Sequence, residues 1–298
     1  MDLNTVTAIH PARSRSDLAA LGEGVAPLAG GSWLFSERQD HLTALVDLMG
    51  LRWESLVPGD EGLEVAATCT FAELAAMPSR GDWPAHPLFY QCCTALLGSF
   101  KVWNVATVGG NVCASLPAGP MTSLFSSLDA EALVWRADGS DERVPVARFV
   151  TGNGTNVLGP GDVLRSFHVP TSSLEARSAY RKIALSPLGR SGAVIVGLLR
   201  TDDSFLLTVS GATVRPEQLR FDALPGAEEL AARVGAIDSW FTDPHGAADW
   251  RRSVSTALAL EILNELGLPP GESPLSDYTT ERYVPETSAA GGDEGEAR

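Results

Sequence analysis

The sequence has few cysteines, few basic residues and no long apolar run. None of its four cysteines are at Cys-x-x-Cys spacing, which argues against a zinc or iron–sulfur ligand set and against a disulfide framework. Lys and Arg total 22 against 37 Asp and Glu, and the net charge of −15 makes nucleic acid and anionic membranes unlikely partners. No apolar run approaches the roughly 18 residues of a membrane span, and no secretory signal is recognisable. These absences predict a reduced, cytoplasmic protein without a membrane span.

The composition is that of a folded chain. Hydrophobic residues make up 44% and charged residues 20% of 298 residues, and this length suggests about two domains. The residues after Thr287 are mostly small or acidic, which predicts a disordered tail. The five histidines are scattered along the sequence, and we identify no catalytic group and no metal ligands among them.

One long stretch is almost free of charge. From Trp83 to Leu128, Lys101 is the only formally charged residue. A solvated surface of this length normally carries about one charge in every four or five residues. The stretch is therefore expected to be buried, either as plain core or as core that also lines a ligand pocket.

Local patterns predict mixed helices and strands. Thr70 stands three residues before Glu73, as in a capping box at the start of a helix. Asp138-Gly139 predicts a hairpin between two strands, and polar residues 171–175 predict a linker. Beyond this linker we expect three long strands and then two helices. In the second helix Trp250, Val254, Leu258 and Ile262 recur every four residues, which predicts a core-facing stripe.

Two turns with paired glycines are the candidate ligand-binding elements. The first is the segment Leu28, Ala29, Gly30, Gly31, Ser32, Trp33 and Leu34, and the second is Thr107, Val108, Gly109, Gly110 and Asn111. Paired glycines let main-chain N–H groups converge on phosphate oxygens without a basic side chain. Each turn alone is most often a plain tight turn. Neither matches the G-x-G-x-x-G or P-loop pattern, but together they favour a dinucleotide site outside a Rossmann fold.

At these residues the chain resembles the FAD-binding subunit of the molybdenum hydroxylases, as in the carbon monoxide dehydrogenase medium subunit and the flavin domain of xanthine dehydrogenase. The resemblance extends from about Val6 to Leu266, with eight segments in the family's order. These are 28–34, 45–48, 66–68, 107–111, 128–130, 160–170, 179–182 and the helix at 250–252.

The resemblance implies an α+β fold. Residues 1–173 would form a FAD-binding domain of two α/β subdomains, similar to the PCMH and vanillyl-alcohol oxidase type. Residues 174–270 would form a C-terminal domain with a three-stranded antiparallel sheet and helices, and 271–298 would be the tail.

The resemblance also implies the site residues. Residues 29–34 and 107–111 would hold the FAD diphosphate and the adjoining ribityl and ribose groups, and Leu28 precedes them. Ala114 and Ser115 would continue that wall, Leu164 would pack near the isoalloxazine, and Lys182 would lie near the flavin edge.

Three segments depart from the family pattern. Pro120 stands where the family has an Asp after the second glycine turn, which removes a hydrogen-bond acceptor near the flavin. The family's Arg and Asp in the stretch 185–193 are altered, and Trp250 replaces a Tyr.

The function that the resemblance implies is electron transfer. The chain would carry FAD and relay electrons from the [2Fe–2S] clusters of a small partner subunit to a terminal acceptor. A large subunit with the molybdenum cofactor would oxidise the substrate in a heterotrimer. Two alternatives stay open: a self-contained flavin oxidase of the vanillyl-alcohol oxidase type, and a flavin-free scaffold subunit.

Overall fold

The computed structural model describes residues 3–95, 98–186 and 189–269.

The first lobe is a small parallel sheet. Strands β1 (Ala8–Pro11), β2 (Val25–Leu28) and β3 (Ala44–Asp47) pair in the order β1-β3-β2. Two 3-10 helices, Arg15–Ala20 and Leu48–Leu51, flank the sheet. Strand β2 pairs with β3 in parallel and is an edge strand of this sheet. It ends at Leu28, so the first glycine turn follows at this edge of the lobe.

The second lobe is built on an antiparallel sheet of five strands. In sheet order these are β4 (Leu56–Gly59), β5 (Gly62–Ala66), β10 (Val163–Pro170), β6 (Glu131–Trp135) and β7 (Asp141–Pro145). The β6–β7 pair confirms the predicted hairpin. A further small hairpin joins β8 (Val150–Gly152) to β9 (Thr155–Asn156).

Among the described residues, seven short helices belong to this lobe. They are α1 (Phe71–Ala75), α2 (Pro87–Cys93), α3 (Phe100–Trp103), α4 (Val108–Ala114), α5 (Pro120–Ser127), α6 (Val146–Phe149) and α7 (Thr171–Leu174). The capping box at α1 is confirmed, since Glu73 N–H donates to Thr70 Oγ1 and Thr70 N–H to Glu73. The predicted polar linker is wrong, because α7 occupies it and buries Ser173 and Leu174.

The uncharged stretch forms helices α2 to α5. Every residue of α5 is buried, and α5 packs against the C-terminal sheet as well as against α2 and α4. The Ser123 hydroxyl of α5 lies 2.7 Å from the Ser210 hydroxyl of that sheet. The expectation of burial is therefore confirmed for α5 and for most of α2, in part for α4, but not for α3, where Phe100 is 67% exposed.

The C-terminal unit is an antiparallel sheet covered by two helices. Its strands are β11 (Arg177–Ile183), β12 (Ala193–Leu199), β13 (Phe205–Ser210) and β14 (Glu217–Phe221), and its helices are α8 (Ala227–Gly235) and α9 (Ala248–Gly267). Within the described residues this sheet thus has four strands where three were predicted. Strand β14 was missed because polar and charged residues occupy most of its positions.

The predicted stripe on the last helix is also shifted. The buried residues of α9 are Arg251, Ser255, Ala259, Ile262, Leu263 and Leu266, whereas Trp250, Val254 and Leu258 are half-buried. Ile262 packs where β12 carries Gly197, since a Cβ on that glycine would stand 2.3 Å from the isoleucine side chain. Arg251 is buried because its guanidinium donates to the carbonyls of Gly192 (2.7 Å) and Gly246 (3.1 Å) and to Asp243. The predicted tail lies outside the described residues.

Candidate flavin-binding site

A cavity of about 590 Å³ lies between the two lobes. The first lobe contributes residues 27–34 and Leu48, and the second lobe contributes α4, the β8–β9 segment and the start of β10. The volume falls in the usual range for small-molecule sites, and most of the lining is apolar. The predicted residues that line it are Leu28, Ala29, Gly30, Gly31, Ser32, Trp33, Leu34, Thr107, Gly109, Gly110, Asn111, Ala114 and Leu164.

The first glycine turn presents main-chain amides. Within the described part of the chain, the N–H groups of Gly30, Gly31 and Ser32 have no hydrogen-bond acceptor. Gly31 has φ +66°, a conformation that favours glycine, and a Cβ there would stand 2.5 Å from the Phe35 ring. Trp33 also lines the cavity and keeps 46% of its side chain exposed. The turn therefore combines unengaged donors with an aromatic side chain at the cavity.

The second glycine turn is different, because the amides of Val108 and of both glycines already donate within the protein. The N–H of Val108 donates to Cys69 O (2.8 Å), and that of Gly109 donates to Ala67 O (2.9 Å). The N–H of Gly110 donates to Thr107 Oγ1 (3.1 Å), which caps α4. This differs from the prediction that both turns present amides. What the second turn offers instead is close approach, since a Cβ on Gly109 would stand 2.5 Å from Ala67 Cβ.

The two turns meet directly. A Cβ on Gly30 would stand 1.6 Å from Val105 O and 3.2 Å from Ala106 Cα. The first turn therefore lies against the residues that lead into the second, and only glycine permits this approach. The two turns lie far apart in the sequence, and no local pattern predicts their contact. The prediction that both turns form one site requires such a contact.

The opposite wall contains an acidic residue that the sequence analysis did not assign. Asp162 lines the cavity and accepts from Arg136 (2.6 Å), Gly159 N–H (2.8 Å) and Ala137 N–H (2.9 Å). Burial acts to raise the pKa of Asp162, but these hydrogen bonds outweigh burial and lower the pKa. The sequence pattern at residues 159–162 predicts a turn there, but it does not indicate that the Asp162 carboxylate is held by Arg136 and two amides.

The remaining ionisable group in the lining is a thiol. Cys113 lines the cavity, and burial raises its pKa to about 12, so the thiol stays protonated at neutral pH. No Lys or Arg lines the described cavity. The site therefore offers amides, small residues and apolar side chains, with one carboxylate already paired.

Three predicted site residues do not line the cavity. Val108 is fully buried at the start of α4, and Ser115 is fully buried with its hydroxyl donating to Val112 O (3.0 Å). Lys182 lies on β11, where its ammonium donates to Thr94 O (3.2 Å) and burial lowers its pKa.

Pro120 begins α5, and the adjacent Met121 N–H donates to Asn111 Oδ1 (3.0 Å).

Other kinds of site are absent from the described residues. No group of three or more His, Cys, Asp or Glu side chains there is placed to hold a metal ion. No helix in that part of the chain has the length and apolarity needed to cross a bilayer.

The two lobes enclose a cavity with donor amides, and an antiparallel sheet is appended to them. Residues 6–172 match the family described as the FAD binding domain in molybdopterin dehydrogenase. This match covers more than half of the chain, and the protein belongs to that family. Residues 6–172 are therefore a FAD-binding domain.

Two curated relatives match part of the chain. Xanthine dehydrogenases 1 and 2 of Arabidopsis thaliana are each 26% identical over 119 residues, which is 37% of this chain. The match spans only 9% of the length of either relative.

Solved structures share the fold over most of the chain. A chain of reconstituted CO dehydrogenase from Oligotropha carboxidovorans superposes with a TM-score of 0.78 at 19% identity, covering 89% of this chain and 98% of that one. A chain of quinoline 2-oxidoreductase from Pseudomonas putida 86 gives 0.75 at 17% identity, covering 89% and 98%. These likenesses confirm the mixed α and β fold.

Proposed function

We propose that this chain is the FAD-carrying electron-transfer subunit of a molybdenum hydroxylase complex. FAD would lie in the cavity between the lobes and accept electrons from the [2Fe–2S] clusters of a small partner subunit. A large partner subunit with the molybdenum cofactor would oxidise the substrate. Family membership supports the cofactor, and the single observation that carries the site is the first glycine turn with its unengaged amides.

The residues present fit a flavin dinucleotide. The amides of Gly30, Gly31 and Ser32 can donate to a diphosphate, which needs directed donors more than net charge. The apolar wall that includes Leu164 suits a flat aromatic ring system and excludes water from it. When bound, FAD converts one-electron delivery into two-electron transfer to an acceptor.

The rest of the chain holds this arrangement in place. Asp162 is fixed by Arg136 and two amides, so the turn before β10 keeps Leu164 at the cavity. Thr107 and Asn111 fix α4 and α5 on the other side through Gly110 and Met121. None of these residues needs to act as an acid, base or nucleophile in an electron relay.

The first test is cofactor binding by the purified full chain. We expect a yellow protein that binds about one FAD per chain and oxidises no alcohol by itself. Oxygen-dependent alcohol oxidation by this chain alone would instead indicate the flavin oxidase. A colourless, stably folded chain that ignores added FAD would indicate the scaffold.

The second test concerns the partners. The tagged chain, purified under native conditions from its own cells, should bring down molybdenum and iron in fixed proportion to FAD. Recovery of the FAD-loaded chain with neither metal would contradict the proposed complex. Metal analysis and subunit masses provide the readout.

A further inference from the structure

Asn156 lies at the junction of two cavity walls. One wall is the end of α4, where Cys113, Ala114 and Leu116 line the cavity, and the other is the β8–β9 segment with Gly154 and Leu158. Asn156 itself is half-buried behind this surface and does not line the cavity.

The side-chain amide of Asn156 makes three hydrogen bonds between these walls. Its Nδ2 donates to Cys113 O (2.9 Å) and to Ser115 Oγ (3.1 Å), and its Oδ1 accepts from Leu158 N–H (3.0 Å). Only one orientation of the amide satisfies a carbonyl on one side and an N–H on the other, so its geometry is determined by its partners. Gly154 N–H adds a main-chain link to Ser115 O (2.9 Å).

The backbone that Asn156 holds is an unfavourable one. Ser115 has φ +51°, the left-handed region, and is fully buried at the end of α4. Side-chain hydrogen bonds to Cys113 and Ser115 stabilise this conformation in the absence of glycine. Without them, the end of α4 and the cavity lining at Cys113 and Ala114 are free to relax.

We propose that Asn156 is a positioning residue for the flavin site, acting through Cys113 and Leu158 to set the spacing of the two walls. This inference rests on the proposed location of FAD in the cavity. Its role is separate from that of the first glycine turn, which would bind the diphosphate directly.

The test compares Asn156→Ala, Asn156→Asp and Asn156→Gln in the full chain, with Asn153→Ala as the matched control. Asn153 is exposed in the same hairpin. We expect the FAD Kd to rise about tenfold in Asn156→Ala, because two donors and one acceptor are lost. Asn156→Asp should bind at least as weakly, since its carboxylate faces the Cys113 carbonyl. Asn156→Gln retains an amide and should recover part of the affinity, and the control should stay within about twofold of wild type.

Two further readouts separate positioning from a general loss of stability. The visible circular dichroism of bound FAD should change in Asn156→Ala measured at saturating FAD, and thermal unfolding is followed in parallel. A lower Tm with unchanged Kd and an unchanged visible spectrum would overturn the inference. A wild-type chain that binds no FAD would contradict the proposed function instead.

Discussion

The two double-glycine turns look alike in the sequence and differ in the structure. The first has three unengaged amides and a positive φ at Gly31. The second begins a capped helix, and its amides donate to Ala67, Cys69 and Thr107. A glycine pair therefore marks close approach of the backbone in both places, but only the first leaves donors for a ligand.

The largest effect is expected at the first turn, from Gly30→Ala. The new Cβ would stand 1.6 Å from Val105 O, so the turn must move away from the second lobe. A displacement costing about 1–3 kcal/mol would weaken FAD binding by about fivefold to 140-fold. Titration followed by flavin fluorescence measures this Kd.

The control for that variant is Gly22→Ala in the same lobe, where a Cβ meets nothing within 4 Å. If Gly30→Ala bound FAD with wild-type affinity, the contrast between the two turns would be wrong. The position of the first turn would then not affect FAD binding.

The next effect concerns the wall that faces the turns. Asp162→Asn removes the charge that pairs with Arg136, and we expect the free energy of unfolding to fall by about 1.5–3 kcal/mol at pH 7. The folded pKa of Asp162 is lowered, so its stabilisation is complete above the unfolded value of about 3.9 and is lost as the pH falls through the folded value.

Denaturant unfolding of wild type and Asp162→Asn should therefore converge as the medium is acidified. The exposed Asp60→Asn serves as control and should leave stability nearly unchanged. A stability difference that persists unchanged into acid would show that the carboxylate charge is not what holds this wall.

A smaller effect is expected at the second turn, from Thr107→Ala. Loss of the cap should lower the free energy of unfolding by about 0.5–2 kcal/mol. The FAD Kd should change less than about threefold, because the amides of Val108 and Gly109 still donate to Cys69 O and Ala67 O and only the Gly110 amide loses its acceptor. Chemical unfolding and FAD titration of the same samples measure both quantities.

Thr107→Ser, which keeps the hydroxyl, should restore most of the lost stability. If Thr107→Ala weakened FAD tenfold at unchanged stability, the second turn would be a ligand-binding element and the contrast between the turns would be wrong.

The smallest effect should come from salt. Because no Lys or Arg lines the described cavity, the FAD Kd should vary less than about threefold when NaCl is raised to about 0.5 M. Equilibrium dialysis at several salt concentrations measures this. A steep dependence would mean that a cation outside the lining, such as Lys182, reaches the diphosphate.

The sequence predicted elements whose signals are local. The capping box at Thr70 and the hairpin at Asp138-Gly139 involve residues a few positions apart, and both are confirmed. The resemblance likewise identified the cofactor and the mixed fold.

Features that depend on distant partners were not predicted. The acceptors for the amides of Val108 and Gly109 lie about forty residues earlier in the chain, so their engagement is invisible in a local pattern. The predicted buried face of α9 differs from the observed one because Arg251 is charged and was not expected to be buried. Its burial depends on the carbonyls of Gly192 and Gly246, which are outside the helix. Asp162 was missed for the same reason, since Arg136 is supplied by a neighbouring strand end.

The burial of α5 bears on how this protein can be divided. The family match ends at residue 172, yet α5 within it is covered on one side by β12 and β13, which follow that point. The Pro117 carbonyl beside the cavity likewise accepts from Gly211 N–H. A fragment cut at the family boundary would thus expose a helix that has no solvent-facing side. We therefore expect a fragment that ends at residue 172 to be less stable than the full chain.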